Sequence, residues 1–183
     1  MKQANYLKAA AQTVGFLFTA FGGFLTKAAP PDDAGGGFAI GLGSFFALAI
    51  LLLVRALAGK ATAGRHRGLW ITVGAACLLF AIFSGLRYAD DWSNKTFEYP
   101  PDRPEARYCV GSSRQPAAIP YFERGLSASE VVAKFGGPRS VERIWTVDSL
   151  DHVRATLRRE YIVLALSLAA SLFSLLELVL PRK

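Results

Sequence analysis

The feature that most constrains this chain is an uncharged apolar run of 19 residues, Gly68–Leu86. Its length matches the roughly 20 residues that an α-helix needs to cross a bilayer. Three more apolar runs accompany it: Ala9–Thr26, Phe38–Val54 and Tyr161–Leu176. The chain of 183 residues is 52% hydrophobic. Together these observations predict an all-α membrane protein with four transmembrane helices.

The first three spans are expected at about residues 8–27, 37–58 and 68–87. The fourth is expected inside one long helix over residues 149–183. Basic residues before the first run also allow a cleaved signal peptide. The length of that run, and the lack of a small-x-small cleavage site before Pro30-Pro31, favour a retained helix.

The distribution of charge predicts the orientation. The net charge of +7 comes from basic residues at the ends of the apolar runs. The loop 55–68 carries four Lys or Arg and no acid, and the positive-inside rule places such a loop in the cytoplasm. We therefore expect both termini inside a bacterial inner membrane and residues 88–158 outside, in the periplasm or extracellular space. Since the excess charge follows topology, a nucleic-acid partner is not expected.

The outer segment, residues 88–158, is neutral, with ten basic and ten acidic residues. It predicts a small α+β extracytoplasmic domain inserted between spans three and four. A short strand is expected around Arg107–Val110, and the alternation over Val141–Val147 predicts another.

One helix of this domain has clear end signals. Ser127 and Glu130 have the spacing of a capping box, and Gly136-Gly137-Pro138 would end the helix. The stretch Gly125–Pro138 resembles the short helix-turn element of BamE/SmpA-like envelope domains, and also the start of a helix-turn-helix. The resemblance implies a helix followed by a turn. It carries over no function, because about ten residues remain before the next helix, too few for the sheet that completes such domains.

Small residues recur at helical spacing in three of the spans. Such faces allow two helices to approach closely, so they predict helix packing and self-association. The candidate helix-packing residues are Gly15, Thr19, Gly23, Ala39, Gly43, Ala47, Ser167, Ala170, Ser171 and Ser174.

A second group of residues is a candidate for specific interactions. Glu177 and Arg55 lie at similar depth near the inner surface and could form a pair, although interfacial snorkelling explains each equally well. Tyr88 and Trp92 at the outer rim of span three are either an aromatic belt or a ligand platform. Asp90 and Asp91 beside them are either a cation site or a solvated acidic helix end. Cys109 is either a buried thiol or a link to a second copy. Trp145 completes the group.

The sequence contains no HExxH, GxSxG, Walker A or dinucleotide motif. We therefore expect no enzyme and no cofactor. The predicted role is that of a homo-oligomeric sensor or assembly subunit, with the lipid bilayer, a second copy and a cytoplasmic or envelope protein as partners. The alternative is a homo-oligomeric pore or membrane-disrupting effector, such as one from a bacterial defence system.

Overall fold

A computed structural model describes residues 29–31, 67–102 and 106–179. The spans predicted over 8–27 and 37–58 lie outside the described residues and stay predictions. In chain order the described elements are α1 Arg67–Lys95, β1 Thr96–Tyr99, β2 Ala106–Cys109, α2 Ile119–Glu123, α3 Ala128–Lys134, a 3₁₀ helix Pro138–Arg143 and α4 Val147–Val179.

Helix α1 contains the predicted third span and continues past it to Lys95. Within the described part of the chain, it is the one helix long and apolar enough to cross a membrane. Only 22% of its most apolar stretch is buried. The large apolar side chains that it exposes are Leu69, Ile71, Val73, Leu78, Leu79, Phe80, Ile82, Phe83 and Leu86.

Helix α4 runs without a break for 33 residues, as predicted for the long helix after the domain. It packs antiparallel on α1. Near one end of the contact Arg87 bonds to Glu160, and near the other the hydroxyl of Ser171 donates to the carbonyl of Gly74 at 3.0 Å. At 1.5 Å per residue these contacts lie roughly 20 Å apart along α1, so the two helices form a long, continuous pair.

A compact domain, residues 96–146, lies at the end of this helix pair. Its strands β1 and β2 form an antiparallel hairpin in which Thr96 faces Cys109 and Tyr99 faces Ala106. The core of the domain is built around Trp145 and continues into the first turns of α4. Its largest fully buried side chains are Val131, Val132, Ile144, Trp145, Leu150 and Leu157.

Two local predictions for the domain are confirmed. The strand expected around Arg107–Val110 is β2, shifted by one residue. The predicted capping box begins α3: the Ser127 hydroxyl accepts from the Glu130 amide, and the Glu130 carboxylate accepts from the Ser127 amide.

The strand predicted over Val141–Val147 is wrong. Pro138 begins a 3₁₀ helix, consistent with its fixed φ angle, and Val147 already belongs to α4. Between them Trp145 forms an isolated bridge with Arg114. The apolar side chains of this stretch belong to a helical turn and to a single bridge. The alternating pattern alone does not distinguish that arrangement from a strand.

The segment predicted to lie outside the membrane, residues 88–158, includes the ends of both long helices. Residues 88–95 continue α1, and residues 147–158 are the first turns of α4, which was expected to begin at about residue 149. The compact domain lies between them, and both long helices extend beyond the apolar runs to meet it.

Candidate functional site

The candidate functional site is a cluster of four charged residues where α1 and α4 approach the domain. Arg87, Asp91 and Lys95 follow one another at four-residue steps, which places them on one face of α1. Glu160 faces them from α4. We call these four residues the junction cluster.

Two ion pairs organise the junction cluster. Arg87 Nε donates to Glu160 Oε1 at 3.1 Å, and Lys95 Nζ donates to Asp91 Oδ2 at 2.6 Å. The side chain of Glu160 is only 9% exposed, whereas that of Arg87 is 64% exposed. The second oxygen, Glu160 Oε2, is buried and accepts no hydrogen bond from any residue that the structure describes.

The pKa values of the two carboxyl groups, Glu160 and Asp91, are shifted in opposite directions. Burial, then the negative charge of Asp91 and a hydrogen bond shared with it, raises the pKa of Glu160, and the charges of Arg87 and Lys95 offset only part of this. Burial also acts to raise the pKa of Asp91, but the hydrogen bonds with Lys95 and Glu160 and the charges of Lys95 and Arg87 outweigh it and leave that pKa below its ordinary value. Glu160 is therefore the carboxyl group of the pair that takes a proton first.

An aromatic layer lies beside the junction cluster and forms part of the hydrophobic core. Tyr88 lies between Trp92 and Tyr161, with ring centroids 5.6 and 6.1 Å away. The guanidinium of Arg107 lies over the Trp92 ring at 5.4 Å. Burial, followed by the nearby Tyr161, Cys109 and Glu160, raises the pKa of Tyr88, so its phenol stays neutral and packs as part of the core.

The structure distributes the predicted rim residues among different roles. Asp91 belongs to the junction cluster, while Tyr88 and Trp92 form the aromatic layer. Asp90 is exposed and accepts a hydrogen bond from Asn94. The rim is thus a packed helix junction with one exposed acid.

The other candidates on the domain are core residues. Cys109 is a buried thiol beside Tyr88. Trp145 is fully buried against Phe97 and Phe122. Neither side chain is available at the surface for a partner.

The predicted small-residue face of α4 lies largely inside the molecule. Ser167, Ser171 and Ser174 are buried, and Ala170 is half-buried. Only the hydroxyl of Ser171 has a bond to α1; those of Ser167 and Ser174 donate to carbonyl groups of α4 itself.

Several predicted residues lie outside what the structure describes. They are Arg55 and the small residues of the first two spans, Gly15, Thr19, Gly23, Ala39, Gly43 and Ala47. Glu177 lies in α4, but its side chain is outside the described set. The predicted pairing of Glu177 with Arg55 stays a prediction.

Sequence reasoning missed Glu160, the most buried acid of the site. Two sequence signals were available. Basic, acidic and basic residues follow the apolar run of α1 at four-residue steps, and a single acid, Glu160, directly precedes the apolar run of α4.

The junction cluster contains two carboxyl groups that can bind a proton. Among the described residues there is no group of three or more His, Cys, Asp or Glu side chains that could bind a metal ion.

Comparison of the chain with protein-family models, with curated proteins and with solved structures gave no match in any of the three.

Proposed function

We propose that this chain is a four-span inner-membrane protein that works without catalysis, as a sensor or assembly subunit. Residues 96–146 would be its outer domain, and α1 and α4 would carry displacements of that domain into the bilayer. The observation that supports this proposal is the absence of a linker: β1 begins at the residue after the end of α1, and α4 begins two residues after the Trp145 bridge.

Backbone hydrogen bonds reinforce both connections. On the α1 side, the Val110 amide donates to the Lys95 carbonyl at 2.8 Å, which ties the hairpin to the helix end. On the α4 side, the Thr146 amide donates to the Ser113 carbonyl at 3.0 Å. These bonds restrict bending at both connections, so a tilt of the domain would be passed on to the helices.

The membrane part of the proposal rests on α1 and on the charge pattern. The exposed apolar side chains of α1 begin at Leu69 and end at Leu86. The junction cluster begins at the next residue, Arg87, where an interface with polar headgroups is expected. The bilayer is therefore the proposed partner of this surface.

Topology can be tested by labelling single introduced cysteines in intact cells. Ser112 is exposed on the domain, so Ser112→Cys should react with a membrane-impermeant maleimide. Thr62→Cys, in the predicted cytoplasmic loop, should react only after the membrane is opened. The reverse pattern would overturn the proposed orientation.

Mechanical coupling can be tested by adding a flexible linker. A Gly-Ser-Gly-Ser insertion between Lys95 and Thr96 should separate unfolding of the domain from unfolding of the helix pair. Wild type should unfold in one transition in detergent micelles. The same insertion after Asp102, in the hairpin loop, is the matched control and should preserve that single transition. One transition in both insertion variants would contradict coupling through the junction.

Planar-bilayer recordings separate the proposed function from the pore alternative. A sensor or assembly subunit should be electrically silent when it is reconstituted alone. Steady conductance from the pure protein would instead identify a pore.

A further inference from the structure

We propose that the Asp91–Glu160 pair is a proton-binding site that tightens the junction between α1 and α4 when the outer side of the membrane becomes acidic. The inference rests on the proposed function in one respect, since an acid stimulus has meaning only for a sensing protein. It adds the chemical identity of that stimulus, which is the proton.

The first support is a buried oxygen that has no donor. Glu160 Oε1 bonds to Arg87, whereas Oε2 receives no hydrogen bond from a described donor, and the Asp91 carboxyl group lies within hydrogen-bonding reach of Glu160. An ionised carboxylate that is buried with one unsatisfied oxygen is costly. A proton would turn this oxygen into a donor, and the neighbouring Asp91 carboxylate is an acceptor.

The second support is the placement of the two cations. Lys95 is engaged with Asp91 at 2.6 Å, so its charge chiefly keeps Asp91 ionised. Arg87 bonds to Glu160, but its side chain is 64% exposed, and water screens its charge. The cluster therefore holds one well-compensated carboxylate and one poorly compensated carboxyl group, which is the arrangement that favours sharing of a single proton.

The surroundings of Glu160 contain no competing base among the described residues. The groups that face it from α1 are Arg87, Tyr88, Asp91 and Lys95. Tyr161 of α4 and the Cys109 thiol of β2 lie around Tyr88. Burial keeps the Tyr88 phenol neutral, so the proton is exchanged between the two carboxyl groups.

The direction of the pH effect follows from linkage. Because the pKa of Glu160 is raised in the folded protein, its proton stabilises the fold at low pH, and this contribution is lost as the pH rises through that pKa. Asp91 has a lowered pKa, so its contribution is present above its ordinary pKa and lost as the pH falls through the folded value. The junction is thus most stable in a mildly acidic window between these limits.

The decisive measurement is an infrared titration of the full chain in lipid nanodiscs. Wild type should show the carbonyl stretch of a protonated carboxyl group at a pH above the ordinary range of glutamate. Glu160→Gln should abolish the band, and Asp91→Asn should move its midpoint to lower pH. Glu123→Gln is the control at an exposed glutamate and should leave the band unchanged.

A second measurement can be made on wild type alone, with Glu160→Gln as a comparison. The thermal midpoint of wild type should rise by on the order of 2–4 °C from neutral to mildly acidic pH, and Glu160→Gln should flatten this rise. A wild-type protein without a carboxyl band above the usual range, or with a midpoint that falls on acidification, overturns the proposal.

The outcomes distinguish failure of this inference from failure of the proposed function. If Glu160 does not titrate as described while the linker insertion still uncouples the domain, the proton site is wrong and the coupled sensor stands. If Glu160 titrates but the pure protein conducts ions, the proton site stands and the sensor role is wrong.

Discussion

The Ser171 hydroxyl donates to the Gly74 carbonyl at 3.0 Å, from one long helix to the other. The donor is 1% exposed, and its acceptor is the backbone carbonyl of a buried glycine of α1. This bond fixes the antiparallel register of α1 and α4 at the end far from the domain. Substitution of Ser171 measures how much this bond contributes to the pairing of the helices.

Ser171→Ala should weaken the helix pair by about 0.6 kcal/mol, the typical value of an interhelical hydrogen bond in the membrane setting proposed above. Ser171→Leu should cost more, about 1–3 kcal/mol, because the site is closed to a larger side chain. Unfolding equilibria in mixed micelles would measure both. Ser174→Ala is the matched control: Ser174 bonds only within α4, so its loss should leave the pairing of the helices intact.

Gly111→Ala should destabilise the domain by about 1–3 kcal/mol, the usual range for overpacking. A side-chain carbon at residue 111 would lie 2.6 Å from Trp145 Cβ and would also collide with Ser149 Oγ. Trp145 is fully buried and held by its bridge with Arg114, and Ser149 lies in the first turn of α4, so moving either neighbour aside is costly. Gly68→Ala, which meets no atom within 4 Å, should be neutral or slightly stabilising in the same denaturation assay.

Ser127→Ala should cost about 1 kcal/mol through the lost cap of α3. It should also raise the pKa of Glu130, because hydrogen bonds from Ser127 are the main cause of its lowered value. Carboxyl-carbon NMR titration would follow that change, and Ser129→Ala serves as the control. An unchanged Glu130 titration in Ser127→Ala would contradict the assignment of the capping box.

Arg87→Gln should destabilise the protein more at neutral than at acidic pH. The variant leaves Glu160 buried without its ion-pair partner. The expected loss at neutral pH is about 1–2 kcal/mol, below the roughly 3–5 kcal/mol of a fully buried pair because Arg87 itself is exposed. Once Glu160 is protonated the loss should shrink. Arg154→Gln, which breaks an exposed pair with Asp151, should show no such pH dependence.

The parts of the fold that the sequence predicted correctly are those with strong local signals. The uncharged run ending at Leu86 indicated α1, and the paired signals Ser127 and Glu130 indicated α3. The strand over Val141–Val147 failed because seven residues of alternation are weak evidence. Ile144 and Trp145 face the core side by side at the end of a 3₁₀ turn, which a strict alternation does not produce.

The candidate site was predicted only in part for a different physical reason. Tyr88, Asp91 and Trp92 lie close together in sequence, directly after an apolar run, and this position alone predicted all three. Glu160 is 73 residues from Arg87 along the chain. Their contact depends on the register between two long helices, and no local pattern specifies that register.

The direct continuation of α1 into β1 sets a rule for the lengths of the two helices. One residue inserted into α1 below the junction would rotate the attached domain by about 100° and raise it by about 1.5 Å. Helix α4 would resist this rotation because it enters the same domain core through Leu150 and Val153. Changes of length in this protein must therefore be compensated in both helices together, whereas the loop between β1 and β2 can vary alone.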